Sequence, residues 1–528
     1  MAGLLDVLLR GAILVLTSLA LGGVAWTRVV LRSEPHAKPS APAVLALRIV
    51  AACAGLAALA QLATLIVALT ELGTAGHWPL ADFGRTTFAR TSLARAVLGA
   101  LIGGLAMTLA RWPARPALWH ALTGGTLALV ATSAVLSHAV ARVESRTALV
   151  VLDALHQIAA AVWIGGLAHL TAYAALVRRQ AQRGISVADD GQVIGRFSNL
   201  ALASVVTLVV TGVLLTWVYV GDAAALLGTA YGVMILSKVV VLTAILALAW
   251  ANFRAVRGAR DGNRLRLLRF VEVELGLGVT VLFAAASLTS LPPAVDVTID
   301  RATVSEVASR LQPAPPRLRS PPLHELIDRA EPLMGAVSRR EPVERAWSEY
   351  NHHWAGFFVL AMGLLAALER LGVRAARHWP LLFFGLAGLL FVRNDPRAWP
   401  LGPAGFWESL SLPDVLQHRT FVVLIVALSV FEWMVRGGRL ARRPWGYVFP
   451  LLCAVGGGLL LTHSHAMVDL KNEFLAELTH VPIGILGAFA GWARWLELRL
   501  PDAGRPAGWL WIACFASIGL LLLVYREA

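Results

Sequence analysis

The chain has 528 residues, 57% of them hydrophobic and 15% charged, with a mean hydropathy of +0.68. Soluble proteins are roughly 45–50% apolar and about 25% charged, so this composition excludes a soluble enzyme, a disordered chain and a fibrous repeat. The net charge of +14 does not indicate a nucleic-acid partner, because its source, three lysines and otherwise arginines, sits in short clusters between apolar runs.

A bilayer core about 30 Å thick is crossed by roughly 20 helical residues. In chain order the apolar runs predict eight spans, near residues 4–30, 42–70, 91–110, 117–140, 149–175, 199–220, 230–253 and 268–291. A polar stretch over 293–350 follows, broken by Pro313, Pro315, Pro316, Pro321 and Pro322, with short helices expected near Val304–Leu311 and Pro342–Tyr350. Six more spans are expected near 353–371, 379–392, 420–435, 446–463, 478–497 and 507–525. The expected fold is an all-α polytopic membrane protein with about 14 transmembrane helices. Its domains are an eight-span unit over 1–292, an external Pro-rich linker over 293–350 and a six-span unit over 351–528.

Loop charge sets the expected orientation. Alternate connections carry Arg28/Arg32/Lys38, Arg111/Arg115, Arg178/Arg179/Arg183, the arginines from Arg254 to Arg269, Arg374/Arg377, Arg436/Arg439/Arg442/Arg443 and Arg494/Arg499/Arg505. These connections read as cytoplasmic, which puts both termini and 293–350 outside. Met1–Leu9 holds Asp6 and no basic residue, unlike the positive n-region of a cleaved signal peptide, so the first span is expected to be retained. Gly99/Gly103 and Gly487/Gly491 have the spacing of close helix packing. Cys53, Cys453 and Cys514 all lie in apolar runs, which offers neither a disulfide framework nor a zinc module.

Histidines carry the chemistry. In the second half His352 and His353 open the ninth span, His418 precedes the eleventh, His463 and His465 close the twelfth, and His480 opens the thirteenth. Met467, Asp469, Glu473 and Glu477 are interleaved. Imidazole suits copper, zinc, iron and nickel, and added thioether sulfur favours Cu(I). The expected outer-face ligands are therefore His352, His353, His463, His465 and His480, with Met467 and Glu477 auxiliary. His463 and His465 diverge by about 200° on a regular helix, so sharing an ion requires an unwound span end.

In the first half, Asp153 and His156 stand at i,i+3 on the fifth span, with His138 near the outer end of the fourth. An ionisable residue inside a span is costly and marks a functional candidate. His138 and His156 are the expected ligands, with Asp153 orienting the ring of His156. Lys238, Glu272 and Glu274 read as structural groups nearer the inner face, the lysine snorkelling and the carboxylates pairing with flanking arginines. The chain has no G-x-x-x-x-G-K-[ST], H-E-x-x-H, G-x-S-x-G or C-x-x-C, so nucleotide-driven transport and the common hydrolase chemistries lose support and an enzyme is not expected.

The run Asp153-Ala-Leu-His156 with Trp163-Ile-Gly-Gly166 resembles the copper resistance protein D (CopD) family. So do Arg196-Phe-Ser198, Thr211-Gly212, Gly228-Thr-Ala-Tyr-Gly232 ahead of Lys238, Asn252-Phe-Arg254 and Leu288-Thr-Ser-Leu-Pro-Pro293, in order along roughly 130–293. Residues 350–528 resemble a C-terminal extension of some members, marked by Ser348-Glu-Tyr-Asn-His-His-Trp354. The resemblance implies copper handling in the bacterial inner membrane, usually uptake from the periplasm, beside a periplasmic copper-binding partner of the CopC type. His138 and His156 match family positions.

The leading expectation is thus copper transport through outer-face and intramembrane histidines. One alternative is a b-type haem protein, with His138/His156 and His120/His169 as two layers, although their helical spacings misfit two stacked haems. Another is a factor that delivers copper to an oxidase without net transport.

Overall fold

In a computed structural model of the chain, the described residues are 2–32, 40–75, 80–113, 115–140, 142, 145–183, 190–257, 264–328, 342–440, 444–462, 470–500 and 504–527. Among them there is no strand. Among the described residues, fourteen helices are long and apolar enough to cross a membrane, and the protein is an all-α polytopic membrane protein.

The chain divides into two compact units, one made mainly of Met1–Leu226 and Met234–Asp296, the other mainly of Val297–Leu461 and His465–Ala528. In the first unit the opening span, Leu5–Val30, packs against the second, fourth, fifth and eighth. Glycine lets it do so: a Cβ on Gly165 would lie 2.1 Å from the Ser18 carbonyl oxygen, and one on Gly22 2.4 Å from the Gly165 backbone. Small residues at such crossings let backbones approach, and in lipid this packing replaces the hydrophobic drive. Trp26 closes the far end against Tyr173 and Phe197. The sixth span, Gly191–Val220, instead turns Leu202, Val206, Val213 and Trp217 outward, as a lipid-facing helix must.

In the second unit the ninth span, Pro342–Arg370, packs along the fourteenth, Arg505–Leu523, which also meets the thirteenth. Gly457 and Gly491 bring the twelfth and thirteenth together, since a Cβ on either would lie within 2.5 Å of the opposing backbone. The ninth helix begins at Pro342, about ten residues before the predicted start, so His352 and His353 lie inside it. The polar segment before it belongs to this unit from Val297 onward. Thr303 and Glu306 form a capping box on Val304–Arg310, and the Ala314 N–H donates to the Val524 carbonyl at 2.9 Å. The thirteenth span is two helices, Leu470–Glu477 and His480–Arg499, parted by a turn at Leu478–Thr479.

Candidate functional site

Each imidazole has two nitrogens, and the partner of one decides whether the other keeps a lone pair for a metal. His156 lies on Arg146–Ala181 with its Nδ1 2.9 Å from Thr211 Oγ1. That hydroxyl has one proton, spent on the Thr207 carbonyl at 2.7 Å, so it accepts from His156 and Nδ1 carries the hydrogen. Nε2 is left with the lone pair. Gly212 makes room, for a Cβ there would stand 3.2 Å from Cε1 of the ring.

Asp153 does not orient that ring. Its Oδ2 accepts from the Gln157 amide at 3.1 Å, one turn along the same helix, whereas the imidazole turns to the sixth span. Thr211 is the orienting group. Lys238 is a further correction: it lies within electrostatic reach of both Asp153 and His156 rather than standing apart near the inner face. It stands eight residues past Ala230 on the seventh helix. Arg142 covers this region, stacked 5.9 Å from the Tyr219 ring and paired with Asp296 at 2.8 Å.

His138 is not on the fourth span. That helix ends at Ala131, where the Thr132 hydroxyl turns back to the Leu129 carbonyl, and His138 occupies a short 3-10 turn beyond it. Its Nε2 donates to the Leu288 carbonyl at 3.2 Å. His120 is exposed on Pro116–Ala131 while His169 is buried, its Nδ1 on the Gly165 carbonyl at 2.8 Å and its ring against Gly23. These two do not form the inner layer of a haem pair. Glu272 meets Arg269 as expected, but Glu274 takes the Asn252 amide at 2.6 Å and, among the described residues, no arginine.

In the second unit the structure brings His352 and His480 together, ring centroids 6.0 Å apart. Both give Nδ1 to the carbonyl four residues back, Ser348 at 2.8 Å and Ala476 at 3.0 Å, so both keep the lone pair on Nε2. Tyr525 stacks on His352 at 3.9 Å, and its hydroxyl joins Arg310 at 2.8 Å and Glu527 at 3.0 Å. Glu527 also accepts from the Ser348 hydroxyl. Burial pushes the Tyr525 phenol up to about 12, which keeps it a donor at neutral pH.

His353 must be withdrawn as a ligand. It is fully buried, its Nδ1 accepts the Arg317 N–H at 2.7 Å and its Nε2 donates to the Tyr525 carbonyl at 2.7 Å, so no lone pair remains. It ties the segment before the ninth helix to the residues after the fourteenth. His463, His465 and Met467 lie outside the described residues. Glu477 closes Leu470–Glu477, half-buried and interacting. Among the described residues, no three His, Cys, Asp or Glu side chains converge as a ready metal group. Thr211, Lys238, Arg310, Tyr525 and Glu527 were not among the expected site residues; of these only Thr211, beside Gly212, and Lys238 had a local motif to mark them.

Residues 191–288 match the family model described as Copper resistance protein D. The Copper transport protein CutJ of Bacillus subtilis (strain 168) is 31% identical over 164 residues, which is 31% of this chain and 29% of that relative. The chain thus aligns with under a third of the length of this relative. No solved structure matches. Thr211, Lys238 and Leu288 fall within the matched residues, whereas Asp153 and His156 precede them. Over the segment 191–288, the chain is similar to the copper resistance protein D family.

Proposed function

We propose that the chain carries copper across a bacterial inner membrane, from the periplasm toward the cytoplasm, by exchange between imidazole ligands. One observation carries this reading: the groups that hold the two first-unit histidines, Thr211 on His156 and Leu288 on His138, both come from the family-matched segment. That segment also supplies Lys238, within electrostatic reach of His156.

In this reading copper arrives at outer-face imidazoles, donated by a periplasmic protein of the CopC type, and passes to His156 and His138. Thr211 holds the His156 ring with Nε2 as donor, the arrangement that makes an imidazole a ligand at neutral pH. Neutral nitrogen ligands release and rebind copper without a covalent step. The Lys238 charge opposes a resident cation beside His156, which keeps binding brief, while Asp153 offsets part of that repulsion. An inside-negative potential assists inward movement by about 2.3 kcal/mol per charge per 100 mV, so the cycle requires no nucleotide.

The test is cell-associated copper, measured by mass spectrometry in cells that make the parent or His156→Ala protein at equal membrane levels. The parent should raise cell copper and the variant should not. Equal accumulation by both would make His156 structural. No accumulation by the parent would favour copper delivery without transport.

A further inference from the structure

We infer that His352 and His480 form a two-coordinate site for a monovalent soft cation, Cu(I), covered by Tyr525 and Glu527. This names the ionic form of the copper reading and rests on it. The inference stands on three features of the second unit.

The first is donor chemistry. Both rings hand Nδ1–H to a helix carbonyl, so both are fixed as neutral Nε2 ligands, as metal-bound histidines commonly are. The second is spacing. With metal–nitrogen bonds of about 2 Å and the half-width of each ring, one ion between two imidazoles holds their centroids roughly 6 Å apart. The observed separation is 6.0 Å. The third is charge. Arg310 and Glu527, both buried, lie 3.9 Å apart and offset one another, and Ser348 and Tyr525 occupy the carboxylate further.

Two neutral nitrogens and a committed carboxylate suit an ion that accepts low coordination and brings one charge. Zinc takes four ligands in structural sites, and no third His, Cys, Asp or Glu joins this pair among the described residues. Tyr525 covers one face of His352, so the residues after the last span shield the pair.

The experiment titrates full-length protein in detergent with Cu(I), without oxygen, against the chelator bathocuproine disulfonate, and reads the copper coordination by X-ray absorption. His352→Ala and His480→Ala should each remove one equivalent that His156→Ala retains. His480→Met, which puts a thioether that also binds Cu(I) in place of the imidazole, should hold that equivalent within about tenfold and replace one nitrogen by sulfur in the spectrum. Tyr525→Ala should speed its transfer to the chelator. Zn(II) in tenfold excess should leave it bound. Survival of the equivalent in both alanine variants, or its displacement by Zn(II), would overturn the site. If the parent binds copper and only His156→Ala loses it, this site fails and the transport reading stands. If the parent binds none, the copper reading itself fails.

Discussion

Replacing Thr211 by valine removes one oxygen and changes little else, since the two side chains have nearly the same shape. Thr211 Oγ1 lies 2.9 Å from His156 Nδ1 and donates its own proton to Thr207. Without it the Nδ1–H faces a methyl group. A lost neutral hydrogen bond costs about 1 kcal/mol, and a buried donor left unpaired about 1–3 kcal/mol. The ring can escape that cost by rotating or by moving its proton to Nε2, and either change takes the lone pair away from the ion. Loss of such a supporting group typically lowers metal affinity ten- to a hundredfold, about 1.4–2.7 kcal/mol. Thr211→Ser keeps the oxygen and should bind copper nearly as the parent does. Chelator competition on purified protein measures the affinities, and cell copper shows whether uptake follows. Parent-like affinity in Thr211→Val would refute the argument that this hydroxyl sets the His156 tautomer.

Other perturbations separate architecture from chemistry. Gly165→Ala sets a methyl group against the Ser18 carbonyl and should destabilise the first unit by roughly 1–3 kcal/mol, read as a lower thermal midpoint in detergent. Gly195→Ala, with nothing within 4 Å, is the control. His353→Ala strands the Arg317 N–H and the Tyr525 carbonyl, so it should cost roughly 2–4 kcal/mol and lower the yield of folded protein. Its folded fraction should keep the affinity of the His156 site. Glu306 is held at about 2, chiefly by its hydrogen bond with Lys471 at 2.6 Å. A carboxylate with a lowered value stabilises above its unfolded value near 4.3 and loses that contribution as pH falls toward about 2. The effect should be small, since the pair is exposed and screened by salt; urea midpoints at pH 5 and pH 3 should converge for parent and Lys471→Ala as pH falls.

Much of the architecture was legible because a bilayer leaves the backbone few options. Apolar runs of about 20 residues must become helices there, and fourteen did. The errors fall where polar residues join a helix. Pro342–Tyr350 reads as a short helix separate from the ninth span, yet one helix runs unbroken from Pro342 to Arg370, because Ser348 and Glu349 find partners in Glu527 and Arg317. The fourth span was drawn too long for the converse reason. Thr132 and Ser133 serve as acceptors for Arg95 of the third span and mark where the helix stops.

The candidate site was legible as a set of residue types and not as a set of ligands. His352 and His353 are neighbours in the same motif, and nothing local separates them. On a helix adjacent side chains point about 100° apart, so one ring meets His480 and Tyr525 while the other is clamped between two backbone groups. What decides between them is the partner of one ring nitrogen. For His353 those partners are 36 and 172 residues away, and for His156 the partner is 55 residues away. His352 and His480, like His169, take a partner four residues back. A helical histidine can always reach that carbonyl if nothing competes for its ring. The fold therefore selects ligands by competition: a histidine stays available to a metal where no other group claims its second nitrogen, and His353 fails that condition.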